Sequence, residues 1–188
     1  MNTTFRFNPP ALTAIALGAS LVAHWAWAFA PARADTAALP CTAAEYHQFD
    51  YWIGDWDVFD TEAPTGPVQA HAVVQPIAGG CALHELYEQN DGLIGDSILS
   101  YDAARKQWQQ TWVTNRGSFM AIAGKPSDGA LILEGEAHLS NGTTVLQRIN
   151  WKAQGVRVRE SALLSKDGGT TWSPAFDVIF HKRAQPGK

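Results

Sequence analysis

The chain has 188 residues, with 14 basic against 18 acidic side chains and a formal charge of −4 near neutrality. No run of lysine or arginine is available to track phosphates, which excludes nucleic acid as an expected partner. The length fits one domain with a full core rather than two.

Residues 11–23 form an apolar, small-residue run after a single positive charge, Arg6. This is the pattern of a secretory leader, and it is too short for a comfortable membrane span. Ala32-Arg33-Ala34 supplies an A-x-A cleavage site that makes Asp35 the new N-terminus; sites ending at Ala28 or Ala30, and an uncleaved anchor, are the alternatives. A lipoprotein reading at Cys41 is rejected, because Pro40 stands where a small residue is needed. The expected division is therefore a leader (1–34), an N-terminal arm (35–48), a barrel domain (49–183) and a C-terminal tail (184–188). Cleavage removes Arg6 and Arg33 and no acid, leaving 12 basic against 18 acidic residues and a charge of −6. A periplasmic or secreted location follows, with no membrane contact after cleavage. In an oxidising compartment the two cysteines, Cys41 and Cys81, are expected to pair. Closing a loop of about 40 residues contributes roughly 3–4 kcal/mol in the chain-entropy model and pins the arm to the domain. Two free thiols are the alternative, since Cβ geometry is not legible in sequence.

A short helical turn is predicted over 42–48, with Thr42 as cap, Glu45 completing the box and the turn plugging one end of the domain. From Phe49 onward, short alternating runs rich in β-branched and aromatic residues predict ten strands, near 51–60, 68–76, 80–89, 93–101, 107–114, 117–124, 130–138, 143–152, 155–164 and 174–182. Asp91-Gly92, Asp128-Gly129 and Asn141-Gly142 supply tight hairpin turns, so their flanking strands are antiparallel neighbours. The connectors at 63–67 and 102–106 are too short to hide a crossover helix. Ten sequential antiparallel strands leave two exposed edges unless the sheet closes. An all-β, antiparallel up-and-down barrel of lipocalin-like type is therefore the leading architecture, and a two-sheet sandwich is the runner-up.

The strongest local signature is Phe49-Asp50-Tyr51-Trp52-Ile53-Gly54-Asp55-Trp56-Asp57-Val58. Period two places Trp52, Gly54, Trp56 and Val58 on one face, expected to be the inside. Glycine between two indoles allows a tight bend or close backbone approach, as in the Gly-x-Trp of a lipocalin first strand. This run resembles the FDFWIGDWDV opening of a bacterial domain-of-unknown-function family with a calycin-like barrel. Gly79-Gly80-Cys81, Tyr101-Asp102-Ala103, Gln110-Thr111-Trp112-Val113, Arg148-Ile149-Asn150-Trp151 and Asp167-Gly168-Gly169-Thr170-Thr171-Trp172 are similar to that family's later blocks and in similar order. The resemblance implies a fold. The family has no agreed activity, so it assigns no catalytic residue.

Ser165-Lys166-Asp167-Gly168-Gly169-Thr170-Thr171-Trp172 resembles the Asp-box of sialidase propellers. Its local chemistry is that of a turn, in which aspartate and threonine satisfy amides and tryptophan packs beneath. Glycoside hydrolysis needs several propeller blades and a far longer chain, so the hairpin reading is preferred.

The candidate ligand-contacting residues come from the same alternation. Trp108, Gln110 and Trp112 share one face of their strand, and Gln147 and Trp151 share one of theirs. With Trp52, Trp56 and Glu160 they are expected to line an interior that holds a small apolar or aromatic molecule. Polar groups on that face, Gln110, Gln147 and Glu160, need a partner or a ligand. Arg148 falls outside by parity, and a one-residue bulge would swing it in. A filled aromatic core is the plainer account of the tryptophans. No histidine pair among His47, His71, His84, His138 and His181 has metal-like spacing, so no metal and no cofactor are expected. Haem is left open only by architectural likeness to nitrobindin-like barrels. The alternative function is a cofactor-independent isomerase, lyase or hydrolase using Glu160 or His84 for proton transfer. A homodimer is also left open.

Overall fold

The computed structural model describes residues 41–139 and 141–183. The expected leader, residues 35–40 of the arm and the tail 184–188 lie outside the described residues. Ten antiparallel strands are present: β1 (Gly54–Asp60), β2 (Ala70–Ile77), β3 (Ala82–Gln89), β4 (Ile94–Asp102), β5 (Gln107–Thr114), β6 (Phe119–Ser127), β7 (Ala130–His138), β8 (Thr144–Gln154), β9 (Arg157–Ser165) and β10 (Ser173–Lys182). Each pairs with its sequence neighbours, and β1 also pairs with β10, from Trp56 opposite Lys182 to Asp60 opposite Val178. The sheet is thus a closed barrel, and no strand edge is left to template another chain. The sandwich alternative is set aside by that last pairing.

Turn chemistry behaves as its residues dictate. Asp128 (φ 52°) and Gly129 (φ 74°) both adopt the left-handed region of a two-residue hairpin turn. At the Asp91-Gly92 and Asn141-Gly142 turns only the glycine does so, and the aspartate and asparagine side chains instead accept the amides of Leu93 and Thr143.

The Asp-box is the β9–β10 hairpin. Asp167 accepts hydrogen bonds from the Thr171 amide and hydroxyl and from the Ser165 hydroxyl, while Trp172 donates its indole N–H to the Gly169 carbonyl. These donors, the Thr171 amide first, hold the Asp167 carboxyl down to about 2. Replacing Asp167 by alanine is expected to speed hydrogen exchange at Thr171 while leaving the strand amides of β9 protected. Unchanged exchange at Thr171 would show that the aspartate is not what orders the turn.

Two 3-10 turns close one end of the barrel, Ala44–His47 and Asp50–Trp52. The first differs from the predicted box: Ala43 occupies the cap position and makes no side-chain capping bond, so Thr42 and Glu45 play no such part. The second shortens β1, which starts at Gly54 and not at residue 51. Trp52 nevertheless points inward, because the turn rolls its indole beneath the barrel.

Both cysteines belong to this end. Cys41 and Cys81 are bridged, with Cα atoms 5.1 Å apart, tying the arm to the β2–β3 connection. The plug then packs on aromatic rings. Phe49 lies 5.3 Å from Trp52, 5.7 Å from Trp151 and 5.9 Å from Trp108, centroid to centroid. Trp56 donates its N–H to the Trp52 carbonyl at 2.8 Å, and Trp108 donates to the Gln48 side chain at 3.1 Å. Phe49, Trp52, Trp56, Trp108, Trp151 and Phe180 are all buried. The plugged half of the barrel is therefore filled with packed rings.

Candidate functional site

Alternation places one residue of every pair inside, and the inside changes character along the barrel axis. Near the plug it is apolar and closed. Toward the far end, where the β1–β2, β3–β4, β5–β6, β7–β8 and β9–β10 connections gather, the inward positions are Tyr87 on β3, Trp112 on β5 and Gln147 on β8, with Glu160 on β9 nearer the middle, across from Trp151. These four are only partly buried, although each shares an inner face with fully buried neighbours. Inward side chains that keep accessible surface are not fully covered by packed neighbours.

The polar groups collect between these two zones. Glu85 on β3 is buried and accepts a hydrogen bond from Ser97 of β4, its cross-strand partner, at 3.0 Å. Burial is the largest influence on its carboxyl; the Ser97 hydroxyl opposes it, the charge of Asp96 adds to it, and the balance raises the group to about 8. Glu160 lies opposite Trp151 in the β8–β9 pairing. It is pushed well above the usual carboxylate range by burial and then by the charge of Glu85, with the Trp151 indole side of the pocket opposing. The indole N–H itself has no acceptor at hydrogen-bonding geometry. Tyr87 feels both carboxyls and is raised by burial first and by Glu160 and Glu85 next. Gln110, 4% exposed on the inner face of β5, has an amide oxygen with no partner.

Trp112 forms one wall. Its ring meets Tyr87 edge-on at 5.9 Å and lies across Gly95 of β4, where an added Cβ would collide with the indole. Gly95→Ala is expected to displace that ring and lower stability by about 1–3 kcal/mol, as overpacking does. Near-ultraviolet circular dichroism of the variant checks the displacement, and a spectrum identical to the parent would remove Trp112 as a fixed wall.

The residues expected from the sequence divide accordingly. Gln110, Trp112, Gln147 and Glu160 lie on the inner face, from the middle of the barrel toward its far end. Trp52, Trp56, Trp108 and Trp151 lie in the plugged half, where they fill the space that a ligand was expected to occupy. Arg148 is corrected to the outer wall: β8 pairs with β7 in unbroken register, and no bulge turns it in. There it bonds Glu134 at 2.8 Å and sits 4.0 Å over the Trp172 ring. His84 is corrected in the same way. It faces outward and bonds Asp96 at 2.7 Å, so it cannot share a site with Glu160. Glu85, Tyr87 and Ser97 were missed. Their signal was present in the alternation of Leu83, Glu85 and Tyr87, which puts a carboxyl on the inner face.

Two clefts lie elsewhere. One of about 180 Å³ opens beside the plug between Gln48, Tyr51 and Leu131, and one of about 230 Å³ lies on the outer wall between Arg148, Arg159 and Phe176. The arginines of the second are already engaged, Arg148 with Glu134 and Arg159 with Asp177. The second cleft also holds the buried Asn150 side-chain oxygen, which has no partner. Among the described residues no group of three or more histidine, cysteine or carboxylate side chains is arranged to hold a metal ion, and no helix is long and apolar enough to cross a membrane. In comparison with known proteins, no family model and no curated protein matches this chain.

Proposed function

We propose that this is an exported small-molecule-binding barrel, periplasmic or secreted, which holds a compound with an aromatic or apolar body inside its far half. One observation carries the reading: inward positions there are polar, some of them buried (Glu85, Gln110) and some partly accessible (Gln147, Glu160). Glu85, Gln110 and Glu160 stand where a barrel built only for stability would place aliphatic side chains. A buried carboxyl or amide without a protein partner costs stability, and such groups in a concave, partly open site mark function. Tyr87 and Trp112 supply faces for a ring, and the polar groups between them fix its orientation. The closed plug explains why entry would be from the opposite end.

Titration with the neutral fluorophore N-phenyl-1-naphthylamine tests this. A saturable, one-to-one rise in emission is expected, weakened several-fold by Trp112→Ala and unaffected by Trp172→Ala. No emission change up to the solubility limit, or equal loss in both variants, would count against the interior site.

A further inference from the structure

Resting on that reading, we propose that the ligand carries a cationic nitrogen, an ammonium or protonated heteroaromatic group, which docks between Glu85 and Glu160 with Tyr87 and Trp112 at its sides. The geometry supplies carboxyl groups that no facing cation matches. Two carboxyl groups and the unpartnered oxygen of Gln110 face one interior. The donors on the same face are all neutral: the Ser97 hydroxyl, already donated to Glu85, the Tyr87 hydroxyl, the Gln110 and Gln147 amides and the indole N–H groups of Trp112 and Trp151.

No arginine or histidine occupies an inner-face strand position among the described residues. The one inward lysine, Lys182, lies at the plugged end over the Trp56 ring, 5.4 Å from its centroid. The outer wall shows the opposite practice: Asp57 meets His71 and Arg183, Asp96 meets His84, Glu134 meets Arg148 and Asp177 meets Arg159. These four outer acids are matched with bases, whereas neither inner carboxyl is. A cation from the ligand would complete the interior set, and aromatic faces beside it add cation–π attraction.

The groups that face the pair are few. On β3 and β4 they are Tyr87 and the Ser97 hydroxyl, with Asp96 behind them on the outer face; on β8 the facing group is Trp151. None is a base. Burial and mutual repulsion raise both carboxyls, Glu85 to about 8, so taking up a cation favours release of a proton. Affinity for an amine therefore rises with pH from 6 to 8.

Three probes of one skeleton separate the outcomes: 2-phenylethylamine, 2-phenylethanol and 3-phenylpropanoate, each followed by calorimetry on the parent and on Glu85→Gln, Glu160→Gln and the double variant. The expected result is at least tenfold tighter binding of the amine than of the alcohol at pH 7.5, with proton release seen as a buffer-dependent heat. That preference should fall to within about twofold in the double variant, whose binding of the alcohol shows that it is folded. Equal binding of amine and alcohol by the parent, or preference for the carboxylate, overturns the cation while leaving the interior site intact. No binding of any probe, together with no response to the neutral fluorophore, overturns both.

Discussion

Replacing Trp151 by alanine is expected to cost about 3–5 kcal/mol of folding stability, the range for deleting a large aromatic from a core that cannot collapse around the gap. The magnitude follows from position. Trp151 is fully buried, 5.7 Å from Phe49 and 5.9 Å from Trp52 by ring centroid, and its carbonyl accepts the Tyr51 hydroxyl at 3.1 Å. Losing the indole removes support from the Asp50–Trp52 turn and from β8 together. The effect should therefore spread to hydrogen exchange at Trp52 and Ile53, across the barrel end. Urea denaturation with an unchanged denaturant slope checks the loss. A cost below about 1 kcal/mol would mean that the plugged end is not the packed core described above.

The second large effect is a dependence on pH with a definite sign. Glu85 is raised from 4.5 to about 8 in the folded protein, so between those values the folded state holds a proton that the unfolded state has released. The unfolded state thus binds fewer protons, and stability falls as pH rises across that window and levels off above it. Glu160 is raised as well, by burial and by its neighbour, and pushes in the same direction. Each tenfold difference in proton affinity between the folded and unfolded states is worth about 1.4 kcal/mol, so the combined decline is on the order of a few kcal/mol. Glutamine at both positions keeps the shape and removes the titration. The Glu85→Gln, Glu160→Gln double variant is expected to unfold at nearly constant denaturant concentration from pH 5 to 8 and to be more stable than the parent at pH 8. Parallel pH profiles for the two proteins would show that the carboxyls are solvated and not enclosed.

Much of the architecture is written locally. Asp-Gly and Asn-Gly pairs between alternating runs dictate antiparallel hairpins, and alternation decides which side chains point inward, including Gln110, Trp112, Gln147 and Glu160. Closure is not local: it depends on Trp56 meeting Lys182 at opposite ends of the sequence, which no window of residues reports. Period two also fails at Tyr51 and Trp52, because a 3-10 turn there spends three residues on a change of direction before Gly54. The accessible inner-face positions lie farther from the plug than the tryptophans suggest, for a related reason. Tryptophans at inward positions can line a space or fill it, and only the arrival of Phe49 and Trp52 from outside the strands decides that they fill it. Glu85 is hidden by its neighbour His84, which draws the chemical reading, although the same parity that sends His84 out sends Glu85 in.

The central claim, that the far half of the interior is a binding site, is tested most directly by the indole region of a ¹⁵N–¹H correlation spectrum recorded as 2-phenylethylamine is added at pH 7.5. The account predicts that the Trp112 and Trp151 indole signals shift in a saturable manner while that of Trp172, on the β9–β10 turn, stays fixed. Movement of Trp172 with Trp112 and Trp151 unmoved would place binding on the outer wall and contradict it.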